Sequence, residues 1–269
     1  MFDQMRIRYF LLAAFIVLII ATAAVGGDLE HPVKEVIFTY IFLGIFPIVW
    51  FGYQLKNQNI LFSDVIQGEG LKNLKGPLTL IFISFFMLSI GIVWLNSVVI
   101  SFFSPDLVEF FLADDDLLAK GRPIVSFFLA IYIALLAPLG EELVFRGLLL
   151  NRISYKLGRA YGIGLSSLLF AIFHFDVIGS FMTGVVLSML YLWTKNLLYP
   201  ILLHAANNTL AILLMIFNVE FPAFLSYVTV PEVFAASLPN LIIIVIFAPI
   251  LIYLMYRYRD RFIKEKITP

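Results

Sequence analysis

The feature that most constrains this chain is a succession of apolar stretches, each close to the roughly 20 residues a helix needs to cross a bilayer. Eight of them, at about residues 9–26, 35–54, 78–102, 123–150, 161–177, 178–194, 198–217 and 234–256, are separated by short polar or Pro/Gly breaks. Leu241 to Tyr256 is apolar on every face, whereas a membrane barrel strand alternates apolar and polar residues. The expected fold class is all-α: a polytopic membrane helical bundle of about eight transmembrane helices. Composition supports this, because a chain that is 62% hydrophobic and 13% charged cannot cover a water-facing surface. The first stretch follows Arg6 and Arg8 and ends near Ala21-Thr22-Ala23, as a signal peptide does. Its apolar run exceeds a usual signal core, so it reads as an uncleaved helix.

The 18 basic and 18 acidic residues cancel, which removes any global electrostatic case for nucleic acid as a partner. Their order is more informative. Fifteen of the 18 basic residues fall at the N-terminus, after the second, fourth and sixth stretches, and at the C-terminus; only Lys34, Lys120 and Arg122 fall in the alternate loops. Lysine and arginine are retained on the cytoplasmic side, so both termini are expected there. Asp114-Asp115-Asp116 then reads as a solvated outer loop. With no cysteine there is no disulfide, thiolate nucleophile or thiolate metal site. No internal repeat or low-complexity tract divides the chain, and residues 1–269 read as a single transmembrane domain.

Ionisable groups inside a bilayer cost several kcal/mol unless paired or hydrated, so those that remain are functional candidates. The fourth stretch contains Pro138-Leu139-Gly140-Glu141-Glu142 and then Arg146-Gly147; the fifth contains Phe170-Ala171-Ile172-Phe173-His174; the seventh contains His204-Ala205-Ala206-Asn207-Asn208. Of three histidines in the chain, two lie in apolar sequence. Counting helix rise from the nearest boundary residue puts Glu141 about 16 Å from Arg152, His174 about 20 Å from Tyr161, and His204 and Asn208 about 8 and 14 Å from Tyr199. These depths permit all four to share one level. Glu142 and Arg146, at i and i+4, can pair on one helix face while Glu141 points elsewhere. Pro138 is expected to kink the helix, and Gly140 and Gly147 to permit close helix approach or water entry. His204 and Asn208, also at i and i+4, present an imidazole and an amide side by side. Asn207 reads as an interhelical hydrogen bond, and Phe170 as packing beside the site.

Two chemistries fit this set. A carboxylate in a low-dielectric cavity beside a histidine can take a proton from water, and His204 with Asn208 can stabilise the oxyanion formed when that water attacks a carbonyl. Alternatively, Glu141, His174 and His204 supply the two-histidine, one-carboxylate set of a catalytic zinc. Spacing does not choose between them.

The motifs Glu141-Glu142-x-x-x-Arg146, Phe170-x-x-x-His174 and His204-x-x-x-Asn208 resemble, in order and on separate helices, those of the CPBP intramembrane proteases. This family includes the type II CAAX prenyl endopeptidases and the bacterial Abi proteins linked to bacteriocin self-immunity. The resemblance covers about residues 123–218, which would form a catalytic core of four helices. It implies an intramembrane endopeptidase acting on a membrane-associated or CAAX-like protein or peptide, in the plasma membrane of a bacterium or archaeon, with the lipid bilayer and the substrate as partners. Glu141 and His174 would activate water, His204 and Asn208 would hold the oxyanion, and Glu142, Arg146 and Phe170 would support them. The family has been described both as zinc-dependent and as metal-free; the metal-free glutamate route is preferred here, with no cofactor. Two other classes remain open from the residues. One is a transporter or proton-coupled permease using the same acids and histidines as a relay. The other is an immunity or adaptor protein that binds a partner without cleaving it.

Overall fold

The computed structural model describes residues 5–26, 31–66, 71–113, 123–217, 219, 220, 222 and 224–264. Asp114-Asp115-Asp116, Lys120 and Arg122 lie outside the described residues. Those described form helices and connecting turns with no strand among them. In chain order the helices are α1 (Ile7–Ala24), α2 (Val33–Asn57), α3 (Phe62–Val65), α4 (Leu71–Ser101), α5 (Pro105–Ala113), α6 (Pro123–Leu157), α7 (Arg159–Ile172), α8 (Val177–Thr194), α9 (Leu198–Ile216), α10 (Val230–Ala235) and α11 (Ser237–Lys264).

Seven of these, α1, α2, α4, α6, α8, α9 and α11, are long and apolar enough to cross a membrane. The chain is a multi-pass membrane protein, and the surface agrees. Phe15, Val49, Phe102, Ile124 and Val245 are each more than half exposed, whereas Glu142, Arg146 and His204 are buried. Such an inverted distribution is stable only where the solvent is as apolar as the exposed side chains.

The fifth expected span, 161–177, corresponds to α7, an apolar helix that at 14 residues is too short to rank with the seven. It rises about 21 Å, less than the roughly 30 Å of a hydrocarbon core. The expected fourth span is longer than anticipated, because the apolar pattern ends at Leu150 but the helix continues to Leu157. It stops at Gly158, whose φ of +96° only glycine adopts without strain and whose N–H closes onto the Ser154 carbonyl at 3.0 Å. Three short helices, α3, α5 and α10, were not anticipated, being too brief to show a period.

By contacts the chain divides into two compact units. The first comprises Met1–Gly68, Leu118–Ser167 and Val185–Leu213. Its core gathers Trp50, Phe51 and Leu55 of α2, Leu143, Leu148 and Leu150 of α6, Tyr191 of α8 and Leu197. Helices α2 and α6 cross closely, as the glycines suggested: a Cβ on Gly140 would lie 2.9 Å from the Leu43 carbonyl oxygen, and one on Gly147 would lie 2.7 Å from the Phe51 ring.

Neither α2 nor α6 is a regular α-helix. Residues 40–45 and 132–136 widen into π-helical turns, in which the N–H of Phe46 reaches Ile41 O and that of Ala137 reaches Tyr132 O. In each helix a proline stands two residues after the widened turn, Pro47 and Pro138. A proline ring clashes with the carbonyl four residues back in an α-turn and offers no N–H, and the wider turn relieves the clash. The kink expected at Pro138 is therefore a local widening. A third wide stretch, 143–150, follows the two glutamates.

The second unit comprises Glu69–Leu117, Leu168–Gly184 and Leu214–Pro269. Helices α4 and α11 pack along their lengths, closely enough at Gly91 that an added Cβ would lie 2.8 Å from Ile244. At one end Trp94, Val108, Val233 and Ala236 form a small core, with the Trp94 indole N–H donating to Val233 O at 2.8 Å.

Candidate active site

Glu141 and Glu142 end the α-helical turn Ala137–Glu142 that follows the widened turn of α6. The carbonyl of Ile133 lies five residues before Pro138 and receives no backbone N–H from it; the Asn208 amide of α9 donates there instead, at 2.9 Å. Asn208 thereby ties α9 to the point where α6 departs from regular geometry. A second side chain does the same further along. Asn151 Nδ2 lies 2.7 Å from Arg146 O, 2.9 Å from Gly147 O and 2.9 Å from the Tyr191 hydroxyl, meeting carbonyls of the 143–150 stretch. The sequence reading missed Asn151 and Tyr191, although an asparagine at the end of an apolar run was a visible signal.

The start of α9 is fixed with similar economy. Asn196 Oδ1 accepts the Leu198 N–H at 2.9 Å, and Pro200 falls in the first turn, where a missing N–H has no intrahelical partner to lose. One and a half turns on, His204 enters the interior at 5% exposure.

The i, i+4 pair forms as expected, with Arg146 Nη1 donating to Glu142 Oε1 at 2.8 Å. Both side chains are essentially inaccessible, at 1% and 0%. Arg146, counted by sequence with the basic residues after the fourth span, is thus part of the interior and carries no information about orientation. Glu142 Oε1 also meets His204 Nδ1 at 3.0 Å. Because that oxygen already accepts from arginine, the ring nitrogen is the donor, and the opposite edge of the imidazole, Nε2, faces Glu141 Oε2 at 3.8 Å. His204 therefore stands between adjacent glutamates of unequal exposure, since Glu141 is 25% accessible and Glu142 fully enclosed. Tyr132, buried on the same helix, lies within reach of the Glu141 charge and was also missed. Asn207 Oδ1 finds no hydrogen-bond partner among the described residues, so the expected interhelical bond is not made by that atom.

His174 and Phe170 belong to the second unit. The expectation that His174 lies within a spanning helix is corrected: α7 ends at Ile172, and His174 stands in the turn before α8. A turn among apolar helices needs its backbone groups satisfied from within the protein. Here the His174 N–H reaches Ala171 O at 2.9 Å, Asn96 Nδ2 of α4 reaches Phe175 O at 3.4 Å, and Asn96 Oδ1 accepts the Ile178 N–H at 3.4 Å. Asp176 caps α8 by accepting the Gly179 N–H at 2.9 Å. A Cβ on Gly179 would collide with that carboxylate and displace it from the cap. Burial pushes the Asp176 carboxyl above the usual carboxylate range, while the Gly179 N–H and nearby His174 pull it down. The His174 ring stacks at a tilt on Phe170, centroids 4.5 Å apart, and its Nδ1 bonds the Phe170 carbonyl at 2.8 Å. That contact leaves Nε2 as the outward edge.

Among the described residues no group of three or more histidine, aspartate or glutamate side chains is disposed to hold a metal ion. No step below passes through a metal.

The fold defines a multi-pass helical membrane protein whose polar interior is an acid, arginine and histidine cluster. Residues 123–210, the stretch that carries the three motifs, match the family model of Rce1-like type II CAAX prenyl endopeptidases. The chain is also similar to the membrane-embedded CAAX protease MroQ of Staphylococcus aureus (strain USA300), being 36% identical over 113 residues. That alignment covers 39% of this chain and 44% of the relative, under half of each. No solved structure matches the chain.

Proposed function

We propose that this protein is an intramembrane endopeptidase that hydrolyses a peptide bond in a membrane-associated protein or peptide, near its C-terminus. The observation that carries the reading is His204 held between two adjacent glutamates, one enclosed and ion-paired, the other partly accessible. Glu142, with Arg146, fixes the imidazole through Nδ1. Glu141 is left facing Nε2 across 3.8 Å, and one oxygen can lie about 2.8 Å from both.

In this mechanism Glu141 accepts a proton from the attacking water, whose oxygen bonds to the scissile carbonyl carbon. The resulting oxyanion is stabilised by the Asn208 amide hydrogen not given to Ile133 and by His204 in its doubly protonated form, in which Nδ1–H donates to Glu142 and Nε2–H to the oxyanion. Collapse of the tetrahedral intermediate breaks the C–N bond, and the departing amine takes the proton back from Glu141. Preorganised donors of this kind are typically worth about 3–4 kcal/mol each. The assignment of His174 to water activation rests on its motif and not on a distance. The similarity to an enzyme named as a CAAX protease supports a substrate with a C-terminal CAAX-like sequence. The test is a comparison of membrane proteomes and peptide pools between cells making the wild type and Glu141→Ala. A membrane protein shortened only in the wild type is expected, and identical pools would refute the proposal.

A further inference from the structure

We propose that Asp176 is a positioning residue for His174, its carboxylate serving as the counter-charge that steadies the imidazole when the outward nitrogen binds a proton or an attacking water. The benefit to catalysis rests on the reading of His174 as a water-activating residue; the pairing itself does not. His174 Nδ1 lies 2.8 Å from the Phe170 carbonyl oxygen, which can only accept, so Nδ1 carries the hydrogen. Nε2 is then the basic edge of the neutral ring. Whatever it binds through a proton leaves positive charge on the imidazole, which is half-buried in a turn between apolar helices.

The same turn fixes the carboxylate. Two residues after His174, Asp176 Oδ1 accepts the Gly179 N–H at 2.9 Å, and the Val177 N–H closes onto Phe175 O at 2.9 Å. This holds Asp176 near enough to His174 for their charges to interact. From α4, Asn96 clamps the turn through Phe175 O and the Ile178 N–H. Beside it, Ser97 is hydrogen-bonded to Tyr227 of the segment before α10, and Tyr227 lies within reach of the Asp176 charge as well. The whole cluster belongs to the second unit. Capping α8 does not by itself call for a charge. Asparagine or serine would accept the Gly179 N–H equally well, without the cost of burying an ionised carboxylate. What aspartate adds over them is a negative charge, and the turn places it beside an imidazole.

The test compares the full-length wild type with Asp176→Asn, which keeps the cap and removes the charge, both purified in neutral detergent. Diethyl pyrocarbonate at about pH 8 acylates neutral imidazole, and peptide mass spectrometry follows each of the three histidines separately. His174 is expected to react about threefold or more slowly in the variant, with the exposed His31 as internal reference. Turnover of an internally quenched peptide with a C-terminal CAAX-like sequence should fall about tenfold with KM unchanged. Asp176→Ser, which also caps, makes the same test if the asparagine variant does not fold. Unchanged His174 reactivity in a folded variant would overturn the proposal, since the charge would then serve the helix alone. Slowed reactivity with unchanged turnover would uphold the pairing and count against the water-activating role of His174.

Discussion

Glu142 in α6 and His174 before α8 are both polar side chains in strongly apolar sequence, and the chain secures them by opposite means. Around Glu142 the fixing groups are charges: an arginine at 2.8 Å and an imidazole at 3.0 Å, all but sealed from solvent. Around His174 they are backbone groups of a turn, met by Asn96, Asp176 and the Phe170 carbonyl, with the ring only half-buried. The first arrangement is intolerant of losing a member, because a buried charge left alone has nothing to replace its partner. The second distributes its hold over several weak bonds, and each is individually dispensable.

That contrast orders the expected effects. Glu142→Ala strands Arg146 in the interior and should lower stability by about 3–5 kcal/mol, seen as an early melt in detergent. Little loss would mean the ion pair is hydrated and the comparison is wrong. Gly140→Ala drives a methyl against the Leu43 carbonyl, a backbone atom that cannot turn aside, and should lose about 1–3 kcal/mol by the same measurement. Asn96→Ala should lose only about 1 kcal/mol of stability. It should lower the turnover rate more than substrate affinity, because His174 is displaced while the fold survives; an unchanged pH–rate profile and rate would make Asn96 purely structural.

The smallest effect is a pH dependence. Burial raises the folded-state pKa of Asp176 above its unfolded value, so its protonated form favours the fold. That contribution is complete below the ordinary carboxylate range and is lost as pH rises through the folded-state value. Asp176→Asn should flatten melting temperature across that window, and a parallel slope in both proteins would show that another group titrates.

Much of this was legible in the chain. Long apolar runs revealed the spans, because the bilayer imposes both length and composition on a crossing helix. The Glu142–Arg146 pair followed from spacing, because it lies within one helix. The His204–Glu142 contact joins residues 62 apart and depends on how α9 meets α6, which no local pattern encodes. His174 was placed in a helix because Phe173 and Phe175 continue the apolar run; the turn is set by Asp176 capping α8. Pro138 announced a disturbance, but whether a helix kinks or widens depends on what takes the freed carbonyl. For Ile133 it is Asn208, 75 residues away.

The account turns on two neighbouring glutamates with different duties, and Glu141→Gln tests it most directly. Peptide cleavage and thermal unfolding measured on the same purified protein should show activity lower by about 10²-fold or more and a melting temperature unchanged from the wild type. Cleavage at the wild-type rate by a well-folded Glu141→Gln protein would contradict the account.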